Sequence, residues 1–484
     1  MNLVYNVKDR PTVGKIIIFA LQQLLAIMAA TVAVPFIVGN GMSQTAALFG
    51  AGVGTLVYLL FTRFKSPVFL GSSFAFLPSM FAAFAGAATV ALGFLGLIIG
   101  AVFAGLVYVI LALVIKKAGT NWIDKLMPAA VIGPVVALIG LSLAGNAIGD
   151  MFKWFTLVEP YSASLAQDSN GNYVFNNGDV FQVKGLLTML IGLATLFTVI
   201  ICSVYGKKTL KMIPFVCGIG VGYTLALILT LIGTFTETPE LVIINFELFK
   251  ISNIEWYPDF SFIKAIKGIA DIESGAQFFK YLGTIAVAYA PVAFVVFAEH
   301  LADHKNLSTI IGTDLTKEPG LDKTLLGDGV GSIAGAVFGG CPNTTYGESI
   351  GCVAISGNAS IITIVVTALM AIVIAFIGPF AAFLKSIPNC VMGGICVSLY
   401  GFIAVSGLKM IQKVDLNDNK NLFVVSVILI AGVGGMGLNF YGVVITKIAV
   451  ALILGIVVNL ICNRKAKKEA EEVEQLQSDE KSEK

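Results

Sequence analysis

The stretch GGCPNTTYGESIGC, from Gly339 to Cys352, falls where the apolar runs on either side require another membrane crossing, yet it carries a proline, an asparagine, two threonines, a tyrosine and a glutamate. A break in a helix through hydrocarbon frees peptide groups that must then be satisfied by protein or by a water-filled cavity. The stretch therefore reads as a broken crossing that faces the protein interior rather than lipid. The whole composition supports a membrane setting. Of 484 residues 57% are hydrophobic and only 12% charged, at a mean hydropathy of +0.89, more apolar surface than a soluble core needs. The apolar runs are continuous and do not alternate, which excludes a β-barrel.

With roughly 20 residues per crossing as the ruler, the chain divides into about fourteen helical spans beginning near residues 14, 44, 67, 88, 126, 185, 212, 278, 324, 341, 360, 389, 421 and 442. The opening MNLVYNVKDRPTVGK lacks a basic region leading into a short apolar core and a cleavage site, so no removable signal peptide is expected and the first span is also the anchor. A cytoplasmic N-terminus places Arg63 and Lys65, Lys116 and Lys117, Lys207, Lys208 and Lys211, Lys317 and Lys323, Lys409 and Lys413, and the Arg464 to Lys468 cluster inside, as the positive-inside rule requires. Both termini are then cytoplasmic. The two long polar connections, about 151–184 and 236–277, fall outside. The tail, residues 464–484, reads as a charged, solvated cytoplasmic segment. A net charge of +2 points to no particular partner, and no nucleic acid is expected. The seven cysteines lack zinc-ligand spacing and read as free thiols acting as small core residues. The glycine strings GAGVG (Gly50 to Gly54) and GVGGMG (Gly432 to Gly437) follow no soluble strand and read as close helix packing.

Seven spans precede the outer loop near residue 250 and seven follow it. An odd number per half inserts the second half upside down relative to the first, the arithmetic of an inverted repeat. The third span of each half is the weak one: SPVFLGSSFAFLPSM (Ser66 to Met80) and GGCPNTTYGESIG (Gly339 to Gly351). Each breaks at Gly or Pro and continues with two hydroxyl residues and an aromatic, Ser72, Ser73 and Phe74 in one and Thr344, Thr345 and Tyr346 in the other. Broken spans at matching positions point to a transporter's binding site at the repeat interface. The expected geometry is an extended stretch followed by a half-helix, with free N–H groups aimed at the midplane.

A second constellation, FAEHLADH (Phe297 to His304), holds both histidines of the chain. On a helix Glu299 and Asp303 share one face, and His300 and His304 share another about 100° away. Two readings stay open. The group is the wetted cytoplasmic end of a crossing; or, because Leu301, Leu307, Ile310 and Ile311 continue the apolar pattern, the helix carries Glu299 within the membrane, at a cost of about 2.5–3.5 kcal/mol that a polar cavity relieves. Glu348 is the only ionisable residue of its span; the alternative to a site role is a carboxylate that caps nearby backbone N–H groups. Histidines at i and i+4 can chelate, but nothing like H-E-x-x-H supports a metal site, and none is expected. Asp328 and Lys447, near the starts of spans, read as interfacial.

With these residues in place the chain resembles the nucleobase/ascorbate transporter family, and within it the bacterial uracil permease branch. The matching stretches are YLL..F.SPVFLGSSFAF in the third span, AEHLADH in the eighth, PNTTYGESIG in the tenth and VMGGICVSLYG (Val391 to Gly401) in the twelfth, and the likeness runs from residue 10 to 462. The resemblance implies an all-α fold of fourteen spans in two inverted repeats, with short antiparallel strands in spans three and ten. It implies a core domain (10–120 and 275–386) and a gate domain (121–240 and 387–463). Glu299 and Glu348 take the places of the two substrate carboxylates, and the backbones of Phe74 and Gly347 those of further contacts. His304 takes the place of the histidine that follows the first glutamate and supports the site and proton coupling. A neutral planar ring such as uracil fits this set: carboxylates accept its N–H groups, backbone N–H groups serve its carbonyls, and Tyr346, Phe74 and Ser73 line it.

The sequence also departs from the pattern. Gln22-Gln23 stands where relatives have Gln-His, Ser349 replaces Asn, Ser356 replaces Thr, Gly357 replaces Arg, and Asp303 adds an acid beside His304. Purine-type members carry Gln where Glu348 sits, which favours uracil over xanthine. The expectation is a proton-coupled symporter, not an enzyme, that imports a nucleobase across the bacterial cytoplasmic membrane by alternating access. Glu348, or the set of His304, Asp303 and Glu299, would carry the proton, with no other cofactor. A homodimer through the gate domains is implied. The alternatives are a xanthine or other purine permease, an anion transporter of related fold, and an intramembrane metalloenzyme.

Overall fold

The computed structural model describes residues 3–119, 121–151, 166–167, 173–174, 183–272, 274–440 and 443–463; most of the polar connection 151–184 and the charged tail lie outside them. The first half runs α1 (Val13–Val38), α2 (Gln44–Phe61), the strand β1 (Leu70–Ser72), α3 (Leu77–Ala85), α4 (Val90–Ala118), α5 (Ala129–Met151), α6 (Val183–Tyr205) and α7 (Pro214–Phe235). The second runs α8 (Gly275–Ile311), α9 (Leu321–Gly339), the strand β2 (Asn343–Thr345), α10 (Gly347–Ser356), α11 (Ile361–Ile374), α12 (Gly378–Ser386), α13 (Asn389–Ile411), α14 (Asn419–Val433), the hairpin of β3 (Leu438–Phe440) and β4 (Val443–Ile445), and α15 (Lys447–Asn463). Among the described residues eight helices are long and apolar enough to cross a membrane, or nine if α11 and α12, bent by 84°, make one broken span. The protein is a multi-pass membrane protein. Hydropathy placed the element starts to within a few residues. It did not reveal the amphipathic helix Ser261–Ala270 inside the polar connection 236–277, whose Ile263, Ile266 and Ile269 are exposed on one face. That helix is too short and too polar to register as a span.

The packing is two-fold. In an isologous contact residue i of one copy meets j of the other while j meets i, and three pairs of elements at matching places in the halves meet in this way. On α2 and α9, a Cβ at Gly50 would lie 2.6 Å from the Gly335 carbonyl and one at Gly54 2.7 Å from that of Gly331. On α5 and α13, Gly133 sits against Gly407, and Gly140 against Tyr400. On the strands, β1 and β2 are antiparallel with Leu70 opposite Thr345, Gly71 opposite Thr344 and Ser72 opposite Asn343. The bonds that flank the ladder repeat the symmetry: Ser73 N donates to Pro342 O (2.9 Å) and Tyr346 N to Phe69 O (3.2 Å). Glycines let the helices approach backbone to backbone, as small residues do in membranes. GAGVG is therefore a packing face; in GVGGMG Gly432 packs against Leu138, while Gly435 (φ +73) turns the chain out of α14.

Candidate functional site

Two short strands in the middle of a membrane protein have unpaired edges, and the structure satisfies them residue by residue. Thr55 on α2 accepts from Leu70 N (2.9 Å) and donates to Leu70 O (3.2 Å). Ser332 on α9 donates to Asn343 O, so each strand receives a hydroxyl from the helix before it. The Asn343 side chain donates to Gly50 O (3.1 Å), in space that a side chain at Gly54 or Gly335 would fill. Ser349 accepts from Phe69 N (3.0 Å) and from the Gln23 side chain, which also reaches Ser349 O. Gln23 and Ser349, two separate departures in sequence, are one contact that ties α1, β1 and α10 together.

Beyond the last ladder bonds the chain enters a helix on each side, through the turn Phe74–Phe76 into α3 and directly at Gly347 into α10. The first N–H groups of a helix have no partner inside it. Gly347 is exposed, Glu348 and Phe74 are half-buried, and Ser73 and Tyr346 are buried. Tyr346 lays its ring over Gly71, where a Cβ would collide with it, and its hydroxyl donates to Ser72 O (2.7 Å). Glu348 stands in the first turn of α10. Phe74 meets Tyr400 of α13 edge to face, ring centres 6.2 Å apart. Tyr400, 2% exposed, was not singled out in sequence.

The α8 helix continues through FAEHLADH to Ile311 without a break, and His300 and His304 are 0% and 1% exposed. The face of Glu299 and Asp303 turns to the strands. Asp303 accepts from Thr345 of β2 (2.7 Å), and Glu299 lies within electrostatic reach of Asp303, Asp328 and Glu348. The histidine face turns away from the strand ends toward α2 and α9. His300 bonds Asp328 through Nδ1 (2.8 Å) and Thr324 through Nε2 (3.0 Å). Thr324 donates its own proton to Leu321 O, so it accepts from Nε2–H, and the proton between Nδ1 and Asp328 leaves that buried pair neutral as a unit. Asp328 is thus corrected: it is not interfacial but fully buried. Its mark in the sequence was an acid between two glycines of an apolar helix.

His304 donates from Nδ1 to His300 O (2.7 Å), and its Nε2 faces the Tyr58 hydroxyl (2.7 Å), which lies 2.7 Å from Ser66 Oγ. A neutral His304 accepts from the Tyr58 O–H, and a protonated one donates to the Tyr58 oxygen while the Tyr58 O–H donates to Ser66 Oγ. Of the residues expected to carry protons, Glu299, Asp303 and Glu348 share the strand side. His304 is set behind it.

Two broken crossings joined through a strand pair, with acids gathered beside two half-helix N-termini, define a membrane transporter of the inverted-repeat kind. The comparisons sharpen that class. A family described as "Permease family", Xan_ur_permease, matches residues 14–439, and the chain belongs to it. The chain is 37% identical over 464 residues to the uracil permease of Bacillus caldolyticus (95% of this chain, 94% of that one), 36% to the uracil permease of Bacillus subtilis strain 168 (97% and 98%) and 34% to the uracil permease of Escherichia coli K12 (94% and 93%). Among solved structures it shares its fold with the transmembrane domain of a cyanobacterium bicarbonate transporter, BicA (16% identity, TM-score 0.60, 95% and 99% covered), and with the murine Slc26a9 anion transporter (12%, TM-score 0.62, 94% and 69%). It is a transporter and not an enzyme.

Proposed function

We infer that this protein imports uracil together with protons across the bacterial cytoplasmic membrane by alternating access. The observation that carries the reading is the placement of Glu348 and Glu299 beside the paired broken spans. Uracil offers two N–H donors and two carbonyl acceptors; carboxylates accept the first, and the free N–H groups at Phe74 and Gly347 serve the second. Tyr346, Phe74 and Ser73 line the ring, and Tyr400 approaches Phe74 from α13. The relatives named uracil permeases support the choice of base. The anion transporters share the fold alone, and an anion site would use a basic residue or a bare half-helix N-terminus in place of added acids.

The proton travels on Glu348 or on the Asp303, Glu299 and His304 set, with no other cofactor. Fourteen crossings in two inverted repeats would leave both termini on one side, and the basic short loops favour the cytoplasm for that side. The core domain, 10–120 and 275–386, moves against a gate domain, 121–240 and 387–463, through which two copies pair. Labelled-uracil uptake into proteoliposomes, with and without an inward proton gradient, tests the reading. Accumulation that follows the gradient and is lost in Glu348→Gln is the expected result. Accumulation of xanthine in place of uracil overturns the base, and no uptake of any nucleobase by folded protein overturns the function.

A further inference from the structure

The half-helix α10 that carries Glu348 has ten residues and is fixed at its N-terminal end by the strand ladder and Ser349. Its other end is held from an unexpected quarter. It stops at Gly357, which takes the left-handed conformation (φ +70). Against that turn lies the chain before α1. Val4 N and Tyr5 N both donate to Gly357 O (2.8 and 3.1 Å), Ala359 N donates to Tyr5 O (2.9 Å) and Ile361 N to Val7 O (3.1 Å). Tyr5 pairs in parallel with Asn358, and Ser360 donates to Asp9 O (2.7 Å). Leu3 and Val7 pack on a buried cluster that includes Leu70 of β1, Ile350 and Val353 of α10, Leu307 of α8, and Tyr58. Lys15 and Phe19 hold the Tyr5 ring, the first through its hydroxyl (3.0 Å).

We propose that residues 3–9 are a positioning element of the site: a backbone strap that sets how far α10, and so Glu348, stands from β1 and α8. The inference rests on the reading of Glu348 as a substrate contact. Each helical residue rises about 1.5 Å, and a misplacement of about 1 Å in a binding constellation can cost on the order of 10²-fold. A slip of α10 by less than one residue therefore reaches the site. The bonds are made by backbone atoms, and the Val4 side chain is 64% exposed. Side-chain identity at position 4 is accordingly free, and the N–H is not.

The test compares Val4→Pro, which removes that N–H, with Val4→Ile, which keeps it, and with deletion of residues 1–9. Val4→Ile should match the native protein. Val4→Pro should raise the KM for uracil about tenfold or more with a smaller change in turnover per folded molecule, and the deletion should do so further. A KM shared by Val4→Pro and Val4→Ile overturns the proposal, whether or not the deleted protein folds. Hydrogen exchange on the same proteins gives a readout that needs no substrate: amides of Gly347 to Ser356 should exchange faster in Val4→Pro, and unchanged exchange also overturns it. If the native protein takes up no uracil, the functional reading fails, and the exchange result still decides the strap.

Discussion

The two broken spans have one backbone and two chemistries. Under the two-fold, Ser73 and Tyr346 occupy matching places, and each donates its N–H to the carbonyl that begins the other's strand segment. The side chains that follow part company. Tyr346, Gly347, Glu348 and Ser349 give the tenth span a ring, an open turn, an acid and a tether, where the third has Ser73, Phe74, Ala75 and Phe76. Even the small residue is one-sided: Gly71 lies under the Tyr346 ring, while Thr344 opposite it carries a side chain. Symmetry builds the scaffold and asymmetry builds the site, because one small ligand cannot be recognised twice in the same place.

The largest effect should come from the residue that breaks the symmetry most. Glu348→Gln keeps size and removes a charged acceptor; hydrogen bonds to charged groups contribute about 1.5–3 kcal/mol, about one to two decades in affinity. Uracil binding should weaken by that factor and gradient-driven uptake should vanish; unimpaired uptake would mean that the tenth span's acid is not the recognising group. Next comes the contrast of Gly71→Ala with Thr344→Ala. The first drives a methyl into the Tyr346 ring, an overpacking of about 1–3 kcal/mol, and should lower both the melting temperature and uptake. The second removes a buried hydroxyl without a partner and should be nearly silent. Equal effects would show that the ring does not depend on its glycine.

Smaller again is Tyr346→Phe, which loses the bond to Ser72 O and about 0.5–1.5 kcal/mol; a few-fold rise in KM is expected, and an unchanged KM would show that the ring keeps its place without that bond. The smallest effect lies at the exposed ion pair of Lys65, just before the third span, with Glu318, before α9 (2.7 Å). The hydrogen bond and charge of Lys65 hold the Glu318 carboxyl below its ordinary range. Its slight stabilisation is present above the ordinary carboxylate pKa and is lost as pH falls through the lower folded value. Melting curves of native protein and Glu318→Gln should differ slightly at neutral pH and converge in acid.

Much of this was legible in the chain because breaks in hydrocarbon are costly and therefore rare. PNTTYGESIG and SPVFLGSSFAF announced themselves as exceptions, and AEHLADH as an acid and histidine pair with two faces. What escaped the sequence was pairing across distance. Nothing local says that Asp328 meets His300, that Gln23 meets Ser349, or that Tyr400 reaches Phe74. The residues before α1 carry no motif to notice, since their hydrogen bonds to the end of α10 are made by their backbone atoms. Hydropathy also could not separate a wetted helix end from a buried polar one at Glu299, because both begin with the same apolar run.

The strand pair has a consequence for how the molecule is made. Tyr346 and the Ser72 carbonyl it holds are 274 residues apart in the chain. A ribosome that has finished only the first half has therefore delivered β1 to the membrane with no partner for its open edge, and unsatisfied peptide groups do not rest in lipid. Until the tenth span emerges, that edge needs water, an insertion chaperone or a refuge between helices. Synthesis of the second half is then also the step that dries the centre of the first, and truncated chains ending before Asn343 should be prime clients of membrane quality control.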